Sequence, residues 1–353
     1  MKNLSVIIFL ILIGYTNITK AQEKKIKVNK QYLIVLFSEH DKNKTYFDLK
    51  VEGKEIMRLK VPFAVDGEPP DYWSALDISK NKGKVITLVF DQVYPEIEKI
   101  YQSDYLHERN LYKESNRPQY HFSAKSGYLG DANGLWYVNG EYHLFFQHAL
   151  AVDHARSPHW GHAVSKDLIH WKELPDALNP DKRGDIISGS SIVDKNNTAG
   201  LGKNTMLMYY TLDTPRDGKP NHQVPCLAYT SDGRTFSKYE EKMPLFDSEK
   251  RVGHPNTRDP KVFWYKPGEV WVMVMFEKNG NSIYTSKNLL DWNYESTLDG
   301  FYECPELFEL PVDGNPENKK WVMYGLGSVY TIGTFNGKEF IPETNFLFNT
   351  SGD

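Results

Sequence analysis

One turn sequence recurs between residues 165 and 340 of this 353-residue chain. Ser165–Trp171 reads Ser-Lys-Asp-Leu-Ile-His-Trp and returns closely at Ser286–Trp292. Shorter copies stand at Ser231–Phe236 and Phe335–Phe340. The copies lie about 50 to 65 residues apart, each after several short strand-like runs, as in β-propeller blades. The sequence therefore predicts an all-β propeller in which about four blades are present.

Hairpins fill the intervals between these turns, and no segment shows a helical period. The first joins Leu135–Val138 to Glu141–Gln147 through Asn139-Gly140, the dipeptide best suited to a type I′ turn. Two further hairpins pair Lys261–Tyr265 with Val270–Phe276, and Glu306–Leu310 with Trp321–Gly325 across a longer polar loop. This pattern is typical of antiparallel sheets.

The N-terminus predicts an export signal at residues 1–21. Lys2 supplies the basic start, Leu4–Gly14 is apolar, and Thr19–Ala21 offers a small-residue cleavage site after Ala21. The apolar run is shorter than the roughly 20 residues of a membrane span. We therefore expect an exported protein, periplasmic or extracellular, without stable membrane insertion.

A small β-sandwich is predicted for residues 22–110. Tyr32–Phe37, Thr45–Val51 and Val85–Phe90 are β-rich runs with turn residues between them. Periodicity disappears from Tyr101 to Pro118, so we place the domain boundary there and the propeller at residues 117–353.

The composition of the chain disfavours nucleic-acid binding and a fold held by several disulfides. A net charge of -4 gives no electrostatic basis for binding nucleic acid. Two cysteines, Cys226 and Cys304, allow a single disulfide, so an exported fold of this length depends on its hydrophobic core. Aromatic residues form 14% of the chain, which suits both core packing and stacking on sugars.

Three carboxylates share one phase of the repeat. Asp131, Asp259 and Glu303 each precede the first strand of a blade, roughly 30 residues before its repeated turn. Equivalent strand ends meet around a propeller axis, so the three side chains are expected in one pocket, with Ser188 at the same phase of the second blade. Pro260 is expected to hold Asp259 in an extended conformation.

Several carboxylates in one pocket suit glycoside hydrolysis, in which one carboxylate attacks and one carboxylic acid protonates the leaving oxygen. Burial and negative neighbours would supply the raised pKa that the acid needs. A zinc site is the rival, because His148, His154, His159 and His162 crowd one stretch. No second cluster matches them, which favours hydrogen-bonding loop residues and no metal. No Gly-x-Ser-x-Gly elbow supports a serine nucleophile.

The chain resembles glycoside hydrolase family 32, the β-fructosidases, from about Arg117 to its end. Tyr128–Gly134 is similar to the family block Trp-Met-Asn-Asp-Pro-Asn-Gly, with Gly130, Ala132 and Tyr128 departing from it. The remaining matching blocks are Tyr142–Gln147, Trp160–Ser165, Arg258-Asp259-Pro260 and Glu303-Cys304-Pro305.

The resemblance implies separate roles for the carboxylates: Asp131 as nucleophile, Glu303 as general acid/base, and Asp259 as transition-state stabiliser. It implies that the fructose site is lined by Asn133, Gln147, Trp160, Ser188 and Arg258. The implied reaction is retaining hydrolysis of β-fructofuranosyl bonds in levan, inulin or sucrose, without a metal or organic cofactor.

The resemblance extends to domain organisation. The N-terminal region is similar to the small β-sandwich that precedes this catalytic domain in fructan-degrading enzymes of Bacteroidetes. Family members complete a fifth blade and add a C-terminal β-sandwich, whereas this sequence ends at Ser351–Asp353. We therefore expect a C-terminally truncated five-bladed propeller.

Two other functions stay open at this level. Changes around Asp131 favour a catalytically weak fructan-binding protein. A related five-bladed hydrolase acting on arabinans is disfavoured by the Glu303-Cys304-Pro305 block.

Overall fold

A computed structural model describes residues 21–38, 45–63, 69–107, 111–151 and 157–348. Residues 1–20 of the predicted export signal, His154 and the chain end at residues 351–353 lie outside the described residues. In the part of the chain that is described, no helix is both long and apolar enough to cross a membrane.

Two sheets form the N-terminal region. Their strands are β1 (Gln22–Lys27), β2 (Tyr32–Phe37), β3 (Thr45–Val51), β4 (Lys54–Val61), β5 (Tyr72–Asp77), β6 (Val85–Phe90) and β7 (Tyr101–Ser103). One sheet has the order β1-β6-β3-β4 and the other β5-β2-β7. Alternate residues of β3 are buried, as expected for a strand with one face on a core. Three of these strands coincide with the predicted β-rich runs; the domain limits 22–110 and 117–353 stay a prediction.

Four antiparallel sheets follow, each built from consecutive strands. The first contains β8 (Tyr128–Val138), β9 (Glu141–Ala149), β10 (His159–Ser165) and β11 (Trp171–Leu178). The second contains β12 (Asp185–Asp194), β13 (Thr205–Arg216), β14 (Lys219–Thr230) and β15 (Ser237–Lys238). The third contains β16 (Thr257–Tyr265), β17 (Val270–Glu277), β18 (Gly280–Ser286) and β19 (Asn293–Asp299). The fourth contains β20 (Glu306–Val312), β21 (Asn315–Gly325), β22 (Val329–Phe335) and β23 (Phe340–Pro342), with β24 (Leu347–Phe348) beside β22.

Helical structure is minor in the described residues. It comprises α1 (Glu249–Val252) and the 3-10 turns Ser79–Asn81, Pro95–Lys99, Glu240–Lys242 and Lys266–Gly268. The all-β class and the four blades are confirmed, whereas the description as a truncated five-bladed propeller stays a prediction.

The repeated turn joins the third and fourth strands of every blade. Its left-handed residue is Leu168 (φ 66), Gly233 (φ 64), Leu289 (φ 67) or Gly337 (φ 94). In the two full copies a serine hydroxyl accepts the amide hydrogen of that leucine, at 2.9 Å for Ser165 and 2.8 Å for the third blade. The turn is therefore encoded locally by its own side chain, which explains why the repeat is visible in the sequence.

One hairpin turn agrees with the prediction from the sequence, and another does not. Asn139 and Gly140 have φ values of 52 and 80, as a type I′ turn requires. The long polar loop expected between Leu310 and Trp321 is wrong, because β20 and β21 continue to a tight turn at Asp313-Gly314. Most residues of β21 before Trp321 are exposed, so the usual alternation of apolar and polar residues is missing there.

The first strand of each blade lies next to that of the following blade, and polar contacts link them. The amide of Gly189 in β12 donates to the Asn133 Oδ1 of β8 at 3.3 Å. On its other side, β12 contributes the Ser190 hydroxyl, which donates to the Pro260 carbonyl of β16 at 2.8 Å. The Lys261 ammonium of β16 donates to Glu306 of β20 at 2.8 Å. These links bring the starts of the inner strands together.

Candidate active site

A β-bulge presents Asp131. The pairing of β8 with β9 shifts register between Leu129 and Ala132, so Asp131 lies within the strand rather than before it. Its Oδ2 accepts hydrogen bonds from the Ser188 hydroxyl at 2.6 Å and from the Gln147 amide at 3.1 Å. Asp131 is exposed, whereas Gln147 is partly buried and Ser188 is buried. The two donors therefore hold the carboxylate in place while leaving it accessible.

The second and third blades carry a bulge in the same place. Register shifts occur in β12 between Ile187 and Gly189, and in β16 between Arg258 and Lys261. Bulges turn a side chain away from the regular alternation and are common beside active sites. Ser188 and Asp259 therefore project at positions equivalent to Asp131.

Asp259 does not have the extended backbone that Pro260 was expected to impose. Its φ is 61, which is left-handed. The bulge sets this conformation, and the Thr211 hydroxyl stabilises it by accepting the Asp259 amide hydrogen at 2.9 Å. A proline disfavours the right-handed helical region of the residue before it, but tertiary contacts overrode the extended alternative here.

Glu303 lies in the loop before β20, as predicted. Glu303 and Cys304 have φ values of 42 and 45, so this loop is left-handed at two successive residues. The Arg258 guanidinium contacts the Glu303 carboxylate and also donates to Gln223 Oε1 at 3.2 Å. The same guanidinium stands 4.8 Å from the centre of the Phe276 ring. Arg258 therefore fixes the direction of Glu303.

Cys304 connects two of the carboxylates. Its sulfur lies 3.8 Å from the Oδ2 atoms of both Asp131 and Asp259, and its amide donates to Asp259 Oδ2 at 3.0 Å. Burial and the surrounding carboxylates hold the pKa of this thiol far above its usual range, so it stays neutral. Cys304 and the buried Cys226 are both free, so the single disulfide that the sequence allowed does not form.

Burial is the main electrostatic influence on Asp259, whose side chain is only 7% exposed. Burial raises its pKa to about 6, and the negative charges of Glu303 and Asp131 act in the same direction. The Cys304 amide and the Arg258 guanidinium, 3.6 Å away, oppose the shift incompletely. Asp259 is therefore a carboxyl group that changes charge close to neutral pH.

The carboxylates stand where a large cleft meets a smaller cavity. The cleft has a volume of about 980 Å³ and is lined by Asp131, Gln147, Arg258, Asp259 and Glu303 among others. The cavity, of about 250 Å³, shares Asp131 and Asp259 with it and is also lined by Asn133 and Ser188. Of the predicted site residues that the structure describes, all but Trp160 are brought together here.

Trp160 lies elsewhere. Its side chain is 0% exposed, packs in the core shared by the first two blades, and donates its indole hydrogen to the Ile187 carbonyl at 3.1 Å. It therefore supports the strand that carries Ser188 and does not line the cleft. The sequence block that contains it does not distinguish a ligand contact from a core contact.

The family model for the glycosyl hydrolases family 32 N-terminal domain matches residues 121–353. The chain belongs to glycoside hydrolase family 32. A levanase of Bacillus subtilis is 46% identical over 257 residues, covering 67% of this chain and 37% of the levanase. An extracellular exo-inulinase of Aspergillus niger is 36% identical, covering 67% of this chain and 51% of that protein. The chain thus spans about half or less of the length of these family 32 relatives.

Solved family 32 structures resemble the fold. A β-fructofuranosidase from Schwanniomyces occidentalis, solved with fructosyl-erythritol, has a TM-score of 0.59 and 34% identity, covering 66% of this chain and 49% of its own. A family 32 structure from Bifidobacterium adolescentis has a TM-score of 0.53 at 18% identity. It covers 92% of this chain and 67% of its own, and this likeness concerns the fold alone.

Family 32 motifs did not reveal every residue at the cleft. Thr211 and Gln223 support Asp259 and Arg258 from β13 and β14, and neither stands in a recognisable motif. Tyr46, Arg58 and Lys60 of the N-terminal sheets also line the cleft. The alternating pattern of β3 marks Tyr46 as outward-facing, but only tertiary structure shows what it faces.

The histidines form two separate groups rather than one site. His159 and His162 both lie in β10, and a separation of three residues directs them to opposite faces of the strand. His162 stacks on His143 and its Nε2 lies 3.1 Å from His143 Nδ1. The expectation of loop residues is wrong, because His148, His159 and His162 are buried strand residues.

The other group is His148, His159 and Asp176, whose donor atoms are close enough to hold a metal ion. However, His148 uses both ring nitrogens, Nδ1 towards Asp176 at 2.9 Å and Nε2 towards the Ser126 carbonyl at 2.9 Å. A metal ligand needs an unshared nitrogen lone pair. This geometry fits an ion pair better than a metal centre. A more exposed group, His222, Asp247 and Glu249, lies near α1.

Proposed function

We propose that this chain hydrolyses β-fructofuranosyl bonds in fructans such as levan or inulin, or in sucrose, with retention of configuration. The observation that carries the proposal is the set of three carboxyl groups that line the same cleft, two of them joined through Cys304. The names of the relatives, a levanase, an exo-inulinase and a β-fructofuranosidase, support the substrate class.

Asp131 is the nucleophile in this proposal. Its exposed carboxylate attacks the anomeric carbon and forms a fructosyl ester, while the bond to the leaving oxygen breaks. The hydrogen bonds from Ser188 and Gln147 to one oxygen, Oδ2, orient the carboxylate during attack.

Glu303 is the acid and then the base. It gives its proton to the leaving oxygen in the first step and takes one from water in the second, when the ester is hydrolysed and Asp131 is released. Arg258 orients Glu303 by direct contact. Asp259 binds ring hydroxyls and stabilises the oxocarbenium-like transition state, and its supporting amide from Cys304 fixes one of its oxygens.

Asn133, Gln147, Ser188 and Arg258 are proposed to bind the fructosyl unit, whereas the burial of Trp160 argues against such a contact for that residue. The mechanism needs no metal or organic cofactor. We also propose that residues 1–21 direct export, in line with relatives named extracellular exo-inulinases.

The test compares release of reducing sugar from levan, inulin and sucrose by the parent and by Asp131→Asn and Glu303→Gln. Each substitution should lower kcat by at least about 1,000-fold, because it removes the nucleophile or the proton donor. Glu309→Gln is the matched control, since its carboxylate is exposed and, among the described residues, forms one ion pair, with Lys319 at 3.1 Å. Equal rates in all four proteins would refute the assignment.

A fructan-binding protein with little activity is the second candidate. Gly130 stands where the family block has asparagine, and a Cβ atom added there would lie 2.9 Å from Tyr128 Cε1. The Tyr128 ring thus occupies space beside the nucleophile, and small displacements of reacting groups are costly for rate. Under this candidate, calorimetry detects levan binding by the parent while no fructose is released.

A further inference from the structure

The N-terminal sheets form one wall of the catalytic cleft. Tyr46 of β3 and Arg58 and Lys60 of β4 line the same 980 Å³ space as the three carboxyl groups. Tyr46 is paired with Lys60 across the two strands, and Asp48 with Arg58. Since alternate residues of β3 and β4 face one side of the sheet, these side chains form a single patch, which we call the sandwich wall.

Backbone hydrogen bonds fix the sandwich wall to the propeller. The Arg58 amide donates to the Pro180 carbonyl at 3.0 Å, and the Lys60 amide donates to the Ser157 hydroxyl at 2.7 Å. The Lys182 amide in turn donates to Glu55 Oε1 at 3.2 Å. The wall therefore has a defined position relative to the carboxyl groups rather than a loose one.

The cations of the wall are held in place by the tyrosine ring. The Arg58 guanidinium lies 4.7 Å and the Lys60 ammonium 5.3 Å from the centre of the Tyr46 ring. The Arg58 Nε also lies 3.6 Å from Asp48. These contacts restrict two long side chains before any ligand arrives, which reduces the entropy lost on binding.

Other residues that line the cleft are polar, including Asp185, Asp213 and Asn221. Asp185 faces Asp213 across β12 and β13, and Asn221 donates to Asp213 at 2.8 Å. The other oxygen of Asp213 is buried without a hydrogen-bond partner among the described residues. Burial and the Asp213 charge raise the pKa of Asp185 to about 7, so this carboxyl can donate as well as accept hydrogen bonds.

Glu303 shows which part of the substrate lies in the cleft. It lines the large cleft but is not among the residues of the smaller cavity, which contains Asn133 and Ser188. The leaving group must be on the side of its proton donor. The departing portion of the substrate therefore lies in the large cleft, which Glu303 lines together with Gln147, Arg258 and the sandwich wall.

We propose that the sandwich wall is a binding site for the leaving-group sugars of a fructan, so that this chain acts on oligosaccharides of several units in preference to sucrose. This inference rests on the proposed function. Hydroxyl-rich, uncharged chains match a cleft lined by both fixed cations and carboxyl groups. The acidic side chains in the lining outnumber Arg58, Lys60, Lys182 and Arg258, so the cleft offers no excess positive charge for a polyanion.

The test measures kcat/KM on sucrose and on a series of fructo-oligosaccharides of increasing length for the parent and for Tyr46→Ala and the Arg58→Ala/Lys60→Ala pair. The ratio of the value on the longest oligosaccharide to that on sucrose should fall about tenfold in both, corresponding to about 1.4 kcal/mol. Tyr46→Phe keeps the ring and should restore most of the ratio. Lys50→Ala, on the same strand but outside the cleft lining, is the control.

An unchanged ratio, or an equal loss on sucrose and on long chains, would overturn the inference while leaving the proposed function intact. If the parent cleaves none of these substrates, the proposed function fails. Calorimetry with the tetrasaccharide nystose then tests the wall separately. About tenfold weaker nystose binding by Arg58→Ala/Lys60→Ala supports the inference, and equal affinity overturns it.

Discussion

Two largely buried carboxyl groups of this chain have different electrostatic surroundings. Asp176, whose side chain is 13% exposed, meets His148 at 2.9 Å through one oxygen and His159 at 3.2 Å through the other. Asp259, 7% exposed, has Arg258 at 3.6 Å, and that guanidinium also contacts Glu303. Asp176 has two partners of its own, whereas Asp259 shares one cation with another acid.

The pKa values follow this difference. Burial works against ionisation of Asp176, but the charge and hydrogen bond of His148, together with His159 beside it, hold its pKa well below the usual range. In return, although burial opposes the charge of His148, Asp176 raises the pKa of that imidazole to about 9. At Asp259 burial prevails and raises the pKa to about 6. A carboxylate whose charge is compensated by its own partners, as in Asp176, forms a structural ion pair. A carboxyl group whose charge is only partly compensated, as in Asp259, keeps a raised pKa that suits it to chemistry.

Removing the carboxylate of Asp176 should have the largest effect on stability. Asp176→Ala leaves the His148 charge buried without its partner, and we expect a loss of about 3 to 5 kcal/mol in the free energy of unfolding. Urea denaturation at pH 7 measures it. Glu309→Ala, which breaks an exposed pair with Lys319, should cost less than about 1 kcal/mol. Similar losses from the two variants would show that the buried pair is not special.

A smaller effect is expected from the pH dependence of His148. Its folded pKa is raised, so its stabilising contribution is complete below about pH 6.5 and is lost as the pH rises through about 9. The parent should therefore lose about 2 to 3 kcal/mol relative to His148→Gln between pH 6 and pH 10. Urea denaturation of both proteins at the two pH values gives this difference, and parallel pH profiles would contradict it.

Asp259 should give the smallest effect, and there the charged form destabilises the fold, whereas the charged form of His148 stabilises it. Its folded pKa is raised, so ionisation destabilises the fold progressively from about pH 4 to pH 6 and fully above that range. Asp259→Asn removes this penalty and should stabilise the protein by about 1 to 2 kcal/mol at pH 8 but not at pH 4. Thermal unfolding at both pH values measures the gain. A variant that is less stable than the parent at pH 8 would show that Arg258 compensates the charge after all.

Much of the propeller could be predicted from the sequence because its turns are encoded by neighbouring residues. Ser165 and Ser286 each fix a left-handed leucine three residues later, and Asn139-Gly140 closes a hairpin without help from distant residues. Counting from these turns was enough to give Asp131 and Asp259 a common phase. Trp160 shows where that reasoning stops, because a motif residue can be part of the core that supports a site.

By itself, the sequence determined the all-β class, the number of blades in the described residues and the phase of the candidate carboxylates, since short-range hydrogen bonds and strand periodicity carry that information. Only the tertiary structure decided the left-handed backbone of Asp259, the sharing of Arg258 between two acids, and the approach of Tyr46, Arg58 and Lys60 to the cleft. Those features depend on residues far apart in the chain, where burial and packing override the preference of any local sequence.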